Sequence, residues 1–156
     1  MRLPLAAAVL ALLVPLAAPA KKFPGAMDQL GPYKLGLTYD EMKILDGFKL
    51  DEKRSKPTEN LVSAKIIDKR ILGTPTIQRF TFKSGKLIRV SIIFHPPEQY
   101  PEETVKAWLI GQWGDPGSKE TVDKEQHYMW QFHHTLGALL PADGDRWMAS
   151  LMDTRD

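Results

Sequence analysis

Cysteine is absent from this chain of 156 residues. That excludes disulfides, thiol catalysis and cysteine-ligated metal, and leaves folding to packing alone. It also removes the residue that a bacterial lipid anchor needs. Charge of one sign is lacking as well, since 21 Lys and Arg oppose 19 Asp and Glu. Nothing so balanced marks a nucleic-acid or anionic-membrane binder. The densest charge run, Asp51-Glu52-Lys53-Arg54, carries two residues of each sign and reads as a solvated loop. Serine-nucleophile, phosphate-loop and H-E-x-x-H patterns are all missing, so no familiar catalytic or cofactor motif is present.

Long apolar runs are scarce too. One exists, Leu3 to Leu16, broken by Pro4 and Pro15. It is shorter than the roughly 20 residues that span a bilayer. Arg2 precedes it, and Ala18 and Ala20 supply small residues at −3 and −1 of a cleavage site before Lys21. Residues 1–20 therefore read as a signal peptide cleaved after Ala20, which makes the product periplasmic or secreted. No membrane span is expected to remain after cleavage. Residues 21–34, with Pro24, Gly25, Gly31 and Pro32, read as an irregular lead-in, and 35–156 as a single domain.

Within that domain, Thr38 and Glu41 form an S/T-x-x-E capping box, with Leu37 and Met42 placed as a hydrophobic staple. They predict a short helix from about Tyr39 to Asp46, stopped by Gly47. Leu50 to Glu59 reads as a loop. Val62 to Ile67, Ile77 to Lys83 and Leu87 to Phe94 alternate as strands, the last two around Ser84-Gly85. Phe80 and Phe82, then Ile88, Val90, Ile92 and Phe94, mark buried faces opposite a wet face of Arg, Thr, Lys and Ser. Pro101 opens a second helix, in which Val105, Trp108, Leu109 and Trp113 share one face before Gly114. Strands are then expected at His127–His133, Gly137–Leu140 and Arg146–Met152, the last two joined by Asp143-Gly144. The order predicts an α+β fold: an antiparallel sheet with two short helices packed on one face, built as two helix-plus-three-strand repeats.

The run Gly36-Leu37-Thr38-Tyr39-Asp40-Glu41-Met42 resembles the helix start of small exported domains of the SmpA/BamE kind. Trp113-Gly114-Asp115-Pro116 is similar to the L-G-x-P that closes their helix. Those domains, like the related β-lactamase-inhibitor-like repeats, are helix-plus-sheet units that bind other proteins in the bacterial envelope. The resemblance implies that fold and another envelope protein as partner. This chain departs from the lipoprotein pattern in lacking the lipidated cysteine.

Few side chains stand out as candidates for chemistry. His127 and His133 would share a strand face with about 20 Å between them, too far to hold one ion. His134 would point to the opposite face, and His95 lies on the neighbouring hairpin. Asp143 and Asp145 offer too few oxygens for calcium. Glu98, Glu102, Glu103, Asp115, Glu120, Asp123 and Glu125 include no pair picked out by an apolar setting. The aromatic residues fit the core by their spacing. Trp113, at a helix end beside Gly114, is the one expected to be partly exposed as a binding anchor. The expected function is thus an exported, non-enzymatic binding or scaffolding module with no cofactor or metal. Its candidate surface is Trp113, His127 and His133. A periplasmic small-molecule or metal binder is the alternative.

Overall fold

The structure is a computed structural model that describes residues 27–95 and 102–155. The signal peptide expected over 1–20, and Pro101 at the start of the second helix, lie outside those residues.

The chain opens on a small hairpin, β1 (Gln29–Leu30) and β2 (Tyr33–Lys34), turned by Gly31-Pro32. The lead-in expected to be irregular therefore carries structure, because Met27, Leu30 and Tyr33 are buried in the core. Helix α1 (Tyr39–Met42) follows. Its capping box is formed: the Thr38 N–H donates to Glu41 Oε2 at 2.7 Å and the Glu41 N–H to Thr38 Oγ1 at 3.2 Å. The helix is one turn rather than two. Beyond Met42 the chain bends so that Leu45 and Phe48 pack against the core, instead of continuing into solvent.

Strand β3 (Lys49–Leu50) and two single 3-10 turns, Glu52–Arg54 and Pro57–Glu59, occupy the expected loop. Three long strands come next: β4 (Leu61–Ile71), β5 (Thr74–Lys83) and β6 (Lys86–Phe94). Helix α2 (Glu102–Trp113) leads to a second meander, β7 (Ser118–Val122), β8 (Glu125–Phe132), β9 (Thr135–Ala142) and β10 (Arg146–Asp153).

Eight strands make one antiparallel sheet in the order β3-β4-β5-β6-β10-β9-β8-β7. This overturns the α+β expectation. Among the described residues the fold is mostly β, with ten strands against two α-helices, one of them a single turn. Each half contributes four strands to the sheet rather than three. The missed members are β3 and β7, at the two edges. The halves meet where β6 pairs with β10, with Ser91 opposite Ser150 and their hydroxyls 3.1 Å apart.

Alternation sets the two faces of the sheet. One row of the core face runs Ala64, Phe80, Val90, Leu151, Gly137 and Trp130 across six strands. Val105, Leu109 and Trp113 of α2 and the β1–β2 hairpin join it in a single hydrophobic core. The opposite face carries Lys65, Arg79, Ser91, Ser150, Ala138 and Met129 in one row. Among the described residues, no helix is long and apolar enough to cross a membrane.

Candidate functional site

The sequence-derived candidates do not converge. Trp113 is only 2% exposed. Its indole N–H donates to the Gln29 carbonyl at 2.8 Å, and its ring meets Trp130 edge-on at 5.4 Å. It is a core residue, not a surface anchor, because Gly137 on the strand beneath leaves room for the ring. His127 lies on β8, half-buried and opposite Glu120 of the edge strand. His133 is not in a strand at all. It and His134 form the β8–β9 turn, and His133 takes a φ of 49°. His95 ends β6, where its N–H donates to the Pro75 carbonyl. Among the described residues no group of three or more His, Asp or Glu side chains is placed to hold a metal ion. The aspartates at 143 and 145 are turn residues: Gly144 and Asp145 have positive φ, and the Asp143 carbonyl accepts from Arg146 Nε.

A different constellation is brought together on the face away from the helices. A depression of about 420 Å³ opens over β4, β5 and β6. Five cations line it, Lys53, Arg54, Lys56, Arg79 and Arg89, together with Ser63, Thr81 and Ser91 and the apolar Leu61 and Met148. No carboxylate is among the lining residues.

Strand register and a folded-back loop build this site. Arg79 and Arg89 sit on the two arms of the Ser84-Gly85 hairpin, on the same face by alternation. Arg79 pairs with Ser91 and Arg89 with Thr81, so small hydroxyls lie beside each guanidinium. The 51–56 segment is clipped over β4 through two serines. The Ser63 N–H donates to Ser55 Oγ at 2.9 Å, Ser63 Oγ to the Arg54 carbonyl at 3.1 Å, and Ser55 Oγ to the Asp51 carbonyl at 2.9 Å. The Asp51 N–H closes the loop onto the Ser63 carbonyl. Lys53, Arg54 and Lys56 are thereby held at the rim.

The charges are not balanced locally. Buried Asp51 is engaged by Lys65 at 3.5 Å and by Arg54 at 4.0 Å, and Lys56 meets Glu59 at 3.7 Å. Arg79 and Arg89 have no carboxylate within ion-pair distance among the described residues. Burial, then the nearby charge of Arg54, push the Arg79 guanidinium below its ordinary range; Asp51 opposes this and Arg146 adds to it. A half-buried arginine among like charges is the setting in which a bound anion is most stabilised, since a guanidinium offers forked donors to carboxylate or phosphate oxygens.

From the residues alone, Arg79 and Arg89 read as part of a wet strand face, and Lys53 and Arg54 as a solvated run. Alternation along the hairpin does put both arginines on one face. The return of the 51–56 loop over that face depends on Ser55 and Ser63 and leaves no trace in spacing. No known family model matches the chain, no curated protein does, and no solved structure does.

Proposed function

We propose that this protein is an exported, non-enzymatic binding module that takes up an anionic ligand in the depression between the 51–56 segment and β4–β6. One observation carries the reading: five cations line the depression, and three of them, Lys53, Arg79 and Arg89, lack a carboxylate partner among the described residues. The volume suits a small molecule, whose sites run from about 300 to 1,000 Å³. Export rests on the leader-like residues 1–20, and the resemblance to envelope domains favours the same compartment.

Titration of the purified protein with inorganic phosphate and pyrophosphate, at low salt and again at high salt, tests this. Binding should weaken with salt, as exposed charges are screened. Replacing both arginines (Arg79→Ala with Arg89→Ala) should cost roughly tenfold to a hundredfold in affinity, the range for lost charged hydrogen bonds of about 1.5–3 kcal/mol. Pyrophosphate binding that survives the double replacement unchanged would overturn the assignment.

Docking of another envelope protein by strand addition is a second reading. It is favoured by β7, an edge strand whose five residues are all exposed.

A further inference from the structure

The basic depression is not closed on all sides. Beside it, the register places a row of apolar side chains on the same face of the sheet. On the outer face the register lines up Ile67, Ile77, Ile93, Met148 and Leu140 across five adjacent strands. At about 4.8 Å per strand this row is roughly 19 Å long. On the other side of Ser91, Ser150 and Ala138 stand Met152 and Leu136, which pair with each other, and Met152 also pairs with Arg89. Ser91, Ser150 and Ala138 are small and buried, so they form a floor between taller side chains. The two serines bond each other, so the floor makes no demand for a polar partner.

Ile67 is 51% exposed, and Ile77, Met148, Leu140, Met152 and Leu136 are half-buried. Among the described residues, the β1–β2 hairpin and α2 pack into the core on the opposite face. Met148 belongs to both regions, since it lines the basic depression and stands in the apolar row. Cations therefore sit at one end of an apolar track.

We infer that the ligand of this site is a single-chain anionic amphiphile, its phosphate or carboxylate held by Arg79 and Arg89 and its alkyl chain laid along Ile77, Met148 and Leu140, over the buried Ile93. The inference rests on the anion-binding reading above and names the class of its ligand. Charge and shape select this occupant over a second copy of the chain. A symmetric dimer formed through this face would bury these cations with no carboxylate of the depression to meet them.

The test is calorimetric titration of the purified protein with inorganic phosphate, butyl phosphate, octyl phosphate and octanol, all below micelle formation. Affinity should rise by about two- to fourfold for each methylene added between butyl and octyl, the upper figure being that of full burial. Octyl phosphate should also bind far more tightly than octanol. Ile77→Thr combined with Leu140→Gln, both outside the basic depression, should flatten the chain-length series and leave phosphate binding in place. Arg79→Ala should weaken every phosphate ligand alike. If octyl phosphate bound no better than inorganic phosphate, the amphiphile inference would fail and the anion site would stand. If neither phosphate nor any alkyl phosphate bound, both would fall. Equal affinity for octanol and octyl phosphate would overturn the coupling of charge and chain. Capture on phosphatidylglycerol vesicles without binding of octyl phosphate would replace a free amphiphile by a membrane surface.

Discussion

Tyr33 shows how one buried polar residue ties pH to stability here. Its ring lies edge-on to Phe80 at 4.8 Å, and its hydroxyl donates to Gln78 Oε1 inside the core. Gln78 Nε2 donates on to Thr76 Oγ1 at 3.0 Å, and that hydroxyl to the Lys69 carbonyl at 2.6 Å. The chain of donors ends on backbone, so every member is satisfied. Burial raises the Tyr33 pKa from its ordinary 10.0 to about 12. The folded state thus holds its proton where the unfolded state has lost it. Stability from this residue is complete below pH 10.0 and drains as pH rises toward about 12. Tyr33→Phe removes the titration but strands the Gln78 carbonyl, at a cost of about 1–3 kcal/mol near neutral pH. Urea unfolding of both proteins should show their stability difference shrinking by roughly 1 kcal/mol or more between about pH 9 and pH 11. A difference that stayed constant across that range would show that Tyr33 does not titrate as its surroundings require.

At the scale of elements, the contact of α2 with β9 turns on a single missing methyl. A Cβ on Gly137 would lie 2.7 Å from Trp113 Cζ3 and 3.0 Å from Cε3. Trp113 cannot swing clear, because its indole N–H is bound to the Gln29 carbonyl and Trp130 stands edge-on beside it. Gly137→Ala should destabilise by about 1–3 kcal/mol, the cost of overpacking. Chemical denaturation would measure it, and a neutral result would mean that the helix slides freely on the sheet. What the sequence reveals at this scale follows the range of the interaction. The capping box at Thr38 and Glu41 is legible because its partners are three residues apart. Tyr128, Trp130 and Phe132 are legible because a strand buries every second residue. Strand β7 is not, since all of Ser118–Val122 is exposed and an edge strand with two wet faces has no alternation to read. Alternation alone carries the aromatic run on through His133 as strand, but its positive φ begins a turn. A tryptophan that ends a helix beside glycine is expected to be partly exposed, yet Trp113 is buried. Only Gly137, distant in sequence, makes its burial possible. The same limit hid the candidate site: that no carboxylate among the described residues comes within ion-pair distance of Arg79 is a long-range fact.

For the molecule as a whole, the question is what makes two four-strand meanders one core. Among the described residues, the sheet joins them at the β6–β10 seam alone. Trp108 of α2 also meets Phe94 of β6 edge-on, and a further tie is the β1–β2 hairpin, which belongs to neither meander and touches both. Toward α2, the Gly31 N–H donates to Gln112 Oε1 at 2.7 Å and the Gln29 carbonyl accepts from Trp113. Toward the first meander, Tyr33 reaches Gln78 of β5, and the Gly36 N–H just beyond the hairpin donates to the Leu87 carbonyl at 2.8 Å. Leu30, with no exposed surface, sits in the core between those ties. Leu30→Ala should therefore cost about 2–5 kcal/mol, the range for a fully buried leucine. It should also separate the stabilities of elements now held together. Hydrogen exchange would report this: amides of α2 should open at a lower free energy than those of β5 and β6 in the variant, beyond any gap in the parent chain. Equal loss of protection in α2 and in the central strands would mean that the β6–β10 seam and the Trp108–Phe94 contact couple the halves, and that the hairpin adds stability without adding connection.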